Sequence, residues 1–502
     1  MKLKVTSHGE SQDLPLVAGL KLLDVLQNAG IPVNAACGGK GSCHKCRIRV
    51  TKGFLGAGAI DGRAFTEDEI RQGWRLSCQA ICRTGLEIVL PQVESLRSKP
   101  RLVRKQSIEK LKNPVLACDL GSTGVVVALG DSVTAEIYLE AHALNKQVRY
   151  GADVMTRLHS AQVQGTPPLK DALEQTLRSC FQLLKNELPE PVWQKAISNA
   201  VVCAGNSAMT SFLHGWDIST LAVSPFQPSQ KTTAIRMLDE LTLTTPPLMA
   251  GFVGADTFAC IVAIEEQNST AQNSKMPWMM VDIGTNTEIV IKTSDGQYWY
   301  SSAPAGPAFE GGNITHGMRA EPGAISEAYF KNNQWHLQTI GNDKAQGICG
   351  SGLMDLLHES VKSKIIDHEG YIEGGKIQIT PEISLLADDI REFQLAKSAT
   401  RTAADLLIER AGEKPTTIYL AGTFAEHLRE DSIAGVGLLP EHIIVKKLGN
   451  ASLKGALTYS AWDENRRTAF NENLKQNGHF VELALQDDFQ ERFVKNLNFS
   501  KP

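Results

Sequence analysis

Residues 36 to 46 read Ala-Cys-Gly-Gly-Lys-Gly-Ser-Cys-His-Lys-Cys, three cysteines and three glycines in a stretch with almost no core-forming side chain. Cys37 and Cys43 are separated by five residues, Cys43 and Cys46 by two, and Cys78 follows about thirty residues later. Thiols so placed could close a disulfide, bind zinc, act in redox exchange or ligate an iron–sulfur cluster. Four thiolates can hold a tetrahedral zinc or a 2Fe–2S cluster. Zinc sites more often use two Cys-x2-Cys knuckles, and only one is present. A 2Fe–2S cluster suits a long loop, because the backbone must wrap the inorganic sulfides and donate N–H groups to them. Gly38, Gly39 and Gly41 carry no Cβ and tolerate positive φ, which such an approach requires. His44 brings mixed His/Cys ligation into view, but a single histidine beside a full set of cysteines reads as a polar surface residue. Cys118, Cys180, Cys203, Cys260 and Cys349 lie singly among apolar neighbours and read as small core residues.

A second kind of chemistry is written twice. Val115-Leu-Ala-Cys-Asp119 is an apolar strand followed by Leu-Gly121-Ser122-Thr123, a second apolar run from Val125 to Leu129, and a turn at Gly130-Asp131. Trp278-Met-Met-Val-Asp282 is followed by Ile-Gly284-Thr285-Asn286, then Glu288-Ile-Val-Ile, then a turn at Asp295-Gly296 and Gln-Tyr-Trp-Tyr. A nucleoside triphosphate needs exposed backbone N–H groups, small hydroxyl side chains and a carboxylate for its hydrated Mg²⁺. Gly121 and Gly284 let the loop approach phosphate. Ser122, Thr123, Thr285 and Asn286 can donate to phosphate oxygens, and Asp119 and Asp282 can hold magnesium through water. The duplication predicts two related lobes. A third element, Thr417-Ile-Tyr-Leu-Ala-Gly422-Thr423, reads as a strand running into a glycine turn before a helix.

These motifs sit in a chain of 502 residues, 42% apolar and 21% charged, with a net charge of −4. No global basic field argues for nucleic acid, and no apolar stretch approaches the ~20 residues of a membrane span. The N-terminus alternates apolar and polar residues and lacks the apolar core of a secretory signal. A cytoplasmic protein is expected, where persistent structural disulfides are uncommon. Residues 1–92 read as a small β-rich module. Leu3 and Val5 alternate as in a half-buried edge strand, Leu22, Leu23, Val25 and Leu26 mark a helix stopped by Gly30, a strand resumes after Cys46, and a last strand ends at Pro91. Residues 93–113 read as a basic linker, since 95–113 holds seven Lys or Arg against one Glu; a docking patch for an acidic redox partner is the alternative. Residues 114–502 follow an α/β pattern, with a first lobe over about 114–250 and a second over about 251–502. Within the second, Glu265 to Lys275 reads as a polar surface loop.

The cysteine loop with the later Arg-Leu-Ser-Cys78-Gln-Ala resembles the ferredoxin module of the adrenodoxin-like spacing class. That resemblance makes Cys78, and not Cys82, the fourth ligand of a 2Fe–2S cluster beside Cys37, Cys43 and Cys46. The order of phosphate loop, phosphate loop and glycine-turn segment resembles the superfamily of acetate and sugar kinases, Hsp70 and actin. There the third segment borders the adenosine, which implies that role for Gly422 and Thr423, and metal and water positioning in ATP hydrolysis for Asp119 and Asp282. Tyr150-Gly-Ala-Asp-Val, Gly205-Asn-Ser-Ala-Met, Gly251-Phe-Val-Gly-Ala-Asp256, Ala305-Gly-Pro-Ala-Phe-Glu310-Gly-Gly, Gly347-Ile-Cys-Gly-Ser-Gly352 and Gly435-Val-Gly-Leu-Leu-Pro440 are together similar to the reductive activators of corrinoid enzymes.

The resemblance implies a ferredoxin-like β-grasp domain before a two-lobed α/β ATPase of duplicated RNase H-like lobes. It implies a 2Fe–2S cluster, ATP and Mg²⁺ as cofactors. The implied reaction is ATP-dependent return of Co(II) to Co(I) in a corrinoid protein, such as a cobalamin-dependent methyltransferase, with an upstream electron donor. A homodimer is compatible with it. Thr423 departs from the more glycine-rich string of relatives. Longer members interpose a further middle domain, and the direct run from ferredoxin to first phosphate loop marks a compact version. Three rival functions remain at this point: an electron injector for another low-potential enzyme, a small-molecule kinase with a redox-regulatory domain, and a zinc-holding nucleotide-binding module.

Overall fold

The structure is a computed structural model and describes residues 2–7, 10–15, 19–29, 31, 33, 39, 41, 44–91, 100–151, 153–269 and 275–500. The chain divides into two compact units, Met1–Thr245 and Pro246–Pro502. Among the described residues no helix is long and apolar enough to cross a membrane.

The first unit opens with a five-stranded sheet in the order Glu10–Pro15, Lys2–Ser7, Glu87–Leu90, Arg47–Lys52, Trp74–Leu76. Lys2–Ser7 is not an edge strand: it pairs antiparallel with Glu10–Pro15 and parallel with Glu87–Leu90. Its outer partner, Glu-Ser-Gln-Asp-Leu-Pro, is almost wholly polar and gives no apolar alternation to read. Leu3, Val5, Ile48, Leu76 and Ile88 turn one face of the sheet inward against Leu22 and Leu26 of the helix Leu22–Asn28. Mixed sheet and packed helix together make the ferredoxin-like domain.

A seven-stranded sheet follows, ordered Ala234–Leu238, Leu241–Thr245, Val201–Gly205, Pro114–Leu120, Gly124–Asp131, Ile137–Leu144, Arg101–Arg104. Pro114–Leu120 is parallel to Val201–Gly205 on one side and opens an antiparallel meander on the other. The long helix Pro167–Glu187 packs on that meander. The basic segment is therefore more than a linker. Arg101–Arg104 pairs antiparallel with Leu139–His142 as the sheet's edge strand, and its arginines keep that edge charged against further pairing. Asp131 anchors the segment's end, accepting from the N–H groups of Lys112 (3.2 Å), Asn113 (2.9 Å), Val133 (2.9 Å) and Thr134 (3.4 Å).

In the second unit a six-stranded sheet is ordered Ile444–Gly449, Thr417–Ala421, Trp278–Asp282, Thr287–Lys292, Tyr298–Ala303, Gly478–Phe480. The arrangement around its Asp-ended strand repeats that of the first unit. Trp278–Asp282 is parallel to Thr417–Ala421 on one side and opens an antiparallel meander on the other, with the helix Ala387–Ala411 packed across it. Two sequence segments thus form one topology twice, as lobes of the actin, Hsp70 and sugar kinase type. The helix Ala255–Ser269 runs through the first half of the stretch expected to be a surface loop. Glu265 on it accepts from Trp278 Nε1 (3.1 Å) and Lys292 Nζ (2.7 Å), tying the helix to the sheet.

Burial alone would raise the Asp131 carboxyl, but the four backbone N–H groups outweigh it and hold it below the usual carboxylate range. Replacing Asp131 by Ala leaves those donors without an acceptor and is expected to lower stability by about 1–3 kcal/mol. The difference between native and variant is fully present above an ordinary Asp value of about 3.9. It is lost as pH falls through the depressed native value, and thermal melts across pH check both statements.

Candidate functional site

The cysteine region is built from the helix Leu22–Asn28 and the turn after Trp74–Leu76. Leu23 N donates to Ser77 O (3.0 Å) and Leu22 N to Ala80 O (2.8 Å), so the helix grips the chain on both sides of Cys78. Ser77 N donates to Cys46 O (2.9 Å), which brings the two ligand-bearing segments together. Cys46 and Cys78 are buried and share a side-chain hydrogen bond. That bond, with a second from Gln79, holds the Cys78 thiol down at about 6, while the same bond and burial push Cys46 far up. Gln79 Nε2 donates to Cys78 Sγ at 3.2 Å. Gly39 and Gly41 take φ +87° and +84°, and a Cβ on Gly41 would stand 2.8 Å from Gln79 Nε2. Cys82 is buried, and burial, then the charge of Asp24, push its thiol up. Cys37 and Cys43, with Gly38, lie outside the described residues. A buried thiol pair, an amide donor aimed at sulfur and positive-φ glycines fit a 2Fe–2S cluster, whose sulfur atoms need N–H donors.

Both Asp-ended strands carry the same neighbour. Asp119 is the ladder partner of Ala204 and Asp282 that of Ala421, and each of these alanines is followed by glycine. A Cβ on Gly205 would meet Leu120 Cβ at 2.7 Å. A Cβ on Gly422, whose φ is +89°, would meet Asp282 Oδ1 at 2.9 Å. Gly422 and Asp282 are therefore in contact, and Thr423 opens the helix Thr423–Glu426 beyond them. This Ala-Gly pair at the end of the parallel neighbour is part of the repeat. It is visible in the sequence as Ala204-Gly205 and Ala421-Gly422, more than eighty residues from one Asp loop and well over a hundred from the other.

In the first loop, a Cβ on Gly121 would strike Gly124 O at 2.4 Å. Fully buried Asn145 holds the loop from behind: its Nδ2 donates to Gly121 O (3.0 Å) and its N–H to Thr123 O (2.9 Å). Ser122 and Thr123 are half-buried at the loop's surface. In the second loop, Gly284 lies close to Asn286, and Thr285 Oγ1 donates to Glu310 Oε1 at 2.6 Å. Gly306 N donates to Thr285 O (2.9 Å), so the glycine-flanked segment 303–312 is a support of this loop. The glycine string 347–352 serves close packing: Cβ atoms on Gly350 and Gly352 would strike Phe309 O and Ile325 O at 1.9 and 2.1 Å.

One carboxylate beside the second loop, Glu288, was given no role from the sequence. Glu288 is the cross-strand partner of Asp282, on the same face of the hairpin. Its Oε1 accepts from Ser302 Oγ at 3.1 Å. Burial, then the nearby charges of Asp256 and Asp282, push its carboxyl well above the usual range. The available signal was an acidic residue directly before the apolar run 289–291 of the strand Thr287–Lys292.

Known families match the chain in three consecutive stretches. These are the 2Fe–2S iron–sulfur cluster binding domain over residues 5–83, the RACo middle region over 115–269, and the C-terminal domain of RACo, the ASKHA domain, over 276–502. The chain is similar to the corrinoid activation enzyme RamQ of Eubacterium limosum, 26% identical over 95% of each chain. A Co(II) methylated amine-specific corrinoid protein reductase of Methanosarcina barkeri is 24% identical over 67% of this chain and 68% of its own. A solved reductive activator for corrinoid, iron-sulfur protein shares the fold over 99% of this chain and 98% of that one, with TM-score 0.65 and 23% identity. The expectation of a missing middle domain is corrected by these matches, because the family's middle region is matched within this chain over 115–269. The compactness lies elsewhere: the alignment with the Eubacterium limosum relative runs to 587 positions against 502 residues here, so that relative holds segments this chain lacks.

Gly422 occupies a backbone region, φ 89° and ψ 151°, that is almost exclusive to glycine. Gly422→Ala is expected to destabilise the second unit by about 1–3 kcal/mol and to displace the Asp282 carboxylate. Calorimetry checks the first effect. Titration with Mg-nucleotide checks the second, with binding weakened about tenfold, the equivalent of 1.4 kcal/mol.

Proposed function

We infer the function from one premise: the chain belongs with the RACo-like reductive activators, carrying an N-terminal 2Fe–2S domain, the RACo middle region and the RACo ASKHA domain. It is an ATP-hydrolysing activator that reduces a corrinoid protein from Co(II) to Co(I). The observation that carries this reading is the presence in one chain of a buried thiol pair under positive-φ glycines and a twice-built Asp-Gly loop. A relative named for corrinoid activation, matched along 95% of its length, supports it.

Cys37, Cys43, Cys46 and Cys78 would hold the 2Fe–2S cluster. When bound, the cluster supplies a one-electron carrier, loaded by an upstream donor and discharged to the cobalt of the partner. Gln79 Nε2 stabilises negative charge on Cys78 sulfur, and Gly39 and Gly41 let backbone N–H groups face inward. In each lobe, Asp119 or Asp282 would hold Mg²⁺ through water. Gly121, Ser122 and Thr123, and in the other lobe Gly284, Thr285 and Asn286, would present N–H groups and side-chain donors to the phosphates of ATP. Gly422 leaves room for the Asp282 carboxylate and, with Thr423, would border the adenosine. Burial, then the charges of Asp256 and Asp282, push the Glu288 carboxyl well above its usual range, which favours its neutral form beside Asp282. A cytoplasmic location is proposed for the reaction.

Phosphate release from Mg-ATP by the reduced protein separates this function from a kinase. A severalfold rise with a Co(II) corrinoid protein, and none with sugars or carboxylates, is expected; phosphate transfer to a small molecule independent of corrinoid would overturn it. Cys43→Ser is expected to abolish electron transfer while leaving nucleotide affinity within about twofold, a difference of ~0.4 kcal/mol. Loss of both would mean that the two modules do not act separably.

A further inference from the structure

The first unit contains a continuous bonded path between the cysteine region and the first phosphate loop. Its centre is the short 3₁₀ helix Lys146–Tyr150, about 10 Å long at ~2.0 Å per residue. The N-terminal end is fixed to the loop by Asn145, through Gly121 O and Thr123 O, and Asn145 Oδ1 also accepts from Gln147 N at 3.0 Å. The middle is pinned to the helix Pro167–Glu187 and its start: Lys146 N donates to Thr176 Oγ1 (3.1 Å) and Gln147 Nε2 to Leu169 O (2.8 Å). Just beyond the C-terminal end, buried Arg157 Nε donates to Gly151 O at 2.9 Å. A turn held at its start, middle and end moves as a piece.

Its one contact of interest points outward. Gln27 Nε2, on the last turn of the helix Leu22–Asn28, donates to Arg149 O. The Arg149 guanidinium lies over the Tyr150 ring, 5.0 Å from its centroid, and its Nε is buried with no hydrogen-bond partner among the described residues. The side chain is thus folded back on its neighbour, and the backbone carbonyl faces the ferredoxin-like domain. At its other end the helix Leu22–Asn28 is bonded to Ser77 and Ala80, on either side of Cys78.

We propose that Gln27 is a positioning residue that latches the cluster-bearing domain to the turn behind the first phosphate loop, so that nucleotide on the loop changes the hold on that domain. The latch rests on the nucleotide role inferred above for residues 119–123. Nucleotide bound at Gly121 and Thr123 tightens the loop on Asn145. The pinned turn carries the constraint to Arg149 O, and Gln27 hands it to the helix that grips Cys78. No other side chain of the helix is needed, and Gln27 itself touches neither thiol nor phosphate loop.

Hydrogen exchange of the full-length protein, with and without a non-hydrolysable Mg-ATP analogue, tests the latch. In the native protein nucleotide is expected to slow exchange at residues 119–124, at the turn 146–150 and at the helix 22–28. The effect on the helix should be about threefold to tenfold, the net worth of one hydrogen bond. Gln27→Glu keeps the shape and removes the donor; its helix response should vanish while protection at 119–124 and 146–150 persists. Gln27→Lys restores an N–H donor of similar reach and should restore the response. A helix that responds equally in Gln27→Glu, or stays silent in the native protein while the loop is protected, overturns the latch alone. A loop that gains no protection removes the nucleotide role of residues 119–123, and the latch with it.

Discussion

A carboxylate that ends a buried strand can serve a charged ligand only if the neighbouring strand turns away and leaves it room. That constraint is met twice here by an Ala-Gly pair closing the parallel neighbour. At Gly422 the fit is so close that a single added carbon would stand 2.9 Å from Asp282 Oδ1. At Gly205 the same requirement is expressed one residue along, against Leu120. The rest of each lobe follows from this junction: the Asp-Gly loop, the antiparallel meander that begins after it, and a long helix packed over that meander. Glu288 adds a further demand, since a second carboxyl directly across from Asp282 is tolerated only in its neutral form or beside a cation.

The ferredoxin-like domain obeys a different constraint. Thiolates buried without counter-charge need hydrogen-bond donors, and small loops provide them only where glycine removes the Cβ. Gln79 extends this logic by giving one of its N–H groups to Cys78. The helix Leu22–Asn28 does double service, closing the hydrophobic core through Leu22 and Leu26 and holding the main chain around Cys78. Because that same helix reaches Arg149, the domain is bonded to the lobe through the element that supports its thiols. The cysteine region and the first Asp-Gly loop are thereby separated in sequence yet joined by short-range bonds.

Much of this was legible in the residues. Cys46 and Cys78, the Asp119 and Asp282 loops and the strand into Gly422 appear where their spacing and apolar runs place them. Apolar periodicity reports burial, so it marked the central strands well and failed where burial is partial. The polar strand Glu10–Pro15 buries Leu14 alone among its described side chains and shows no apolar alternation. The basic strand Arg101–Arg104 lies at a sheet edge, where charge is favoured for its own reasons. The end of the helix Ala255–Ser269 is polar because it leaves the core, although Glu265 still ties it to the sheet. Gly205 and Gly422 belong to the repeat through pairing between distant segments, and no local pattern records such a pairing.

Joined in one chain of a reductive-activator family, a thiol-lined loop and a duplicated Asp-Gly device imply that nucleotide drives an electron to a low-potential metal. The most direct measurement follows the cobalt itself. The reduced protein is mixed without oxygen with a Co(II) corrinoid protein, and the Co(I) absorption band is recorded before and after Mg-ATP. Growth of the band only after Mg-ATP is the expected result. No ATP-dependent Co(I) with any corrinoid protein tried, cobalamin-dependent methyltransferases included, would contradict it.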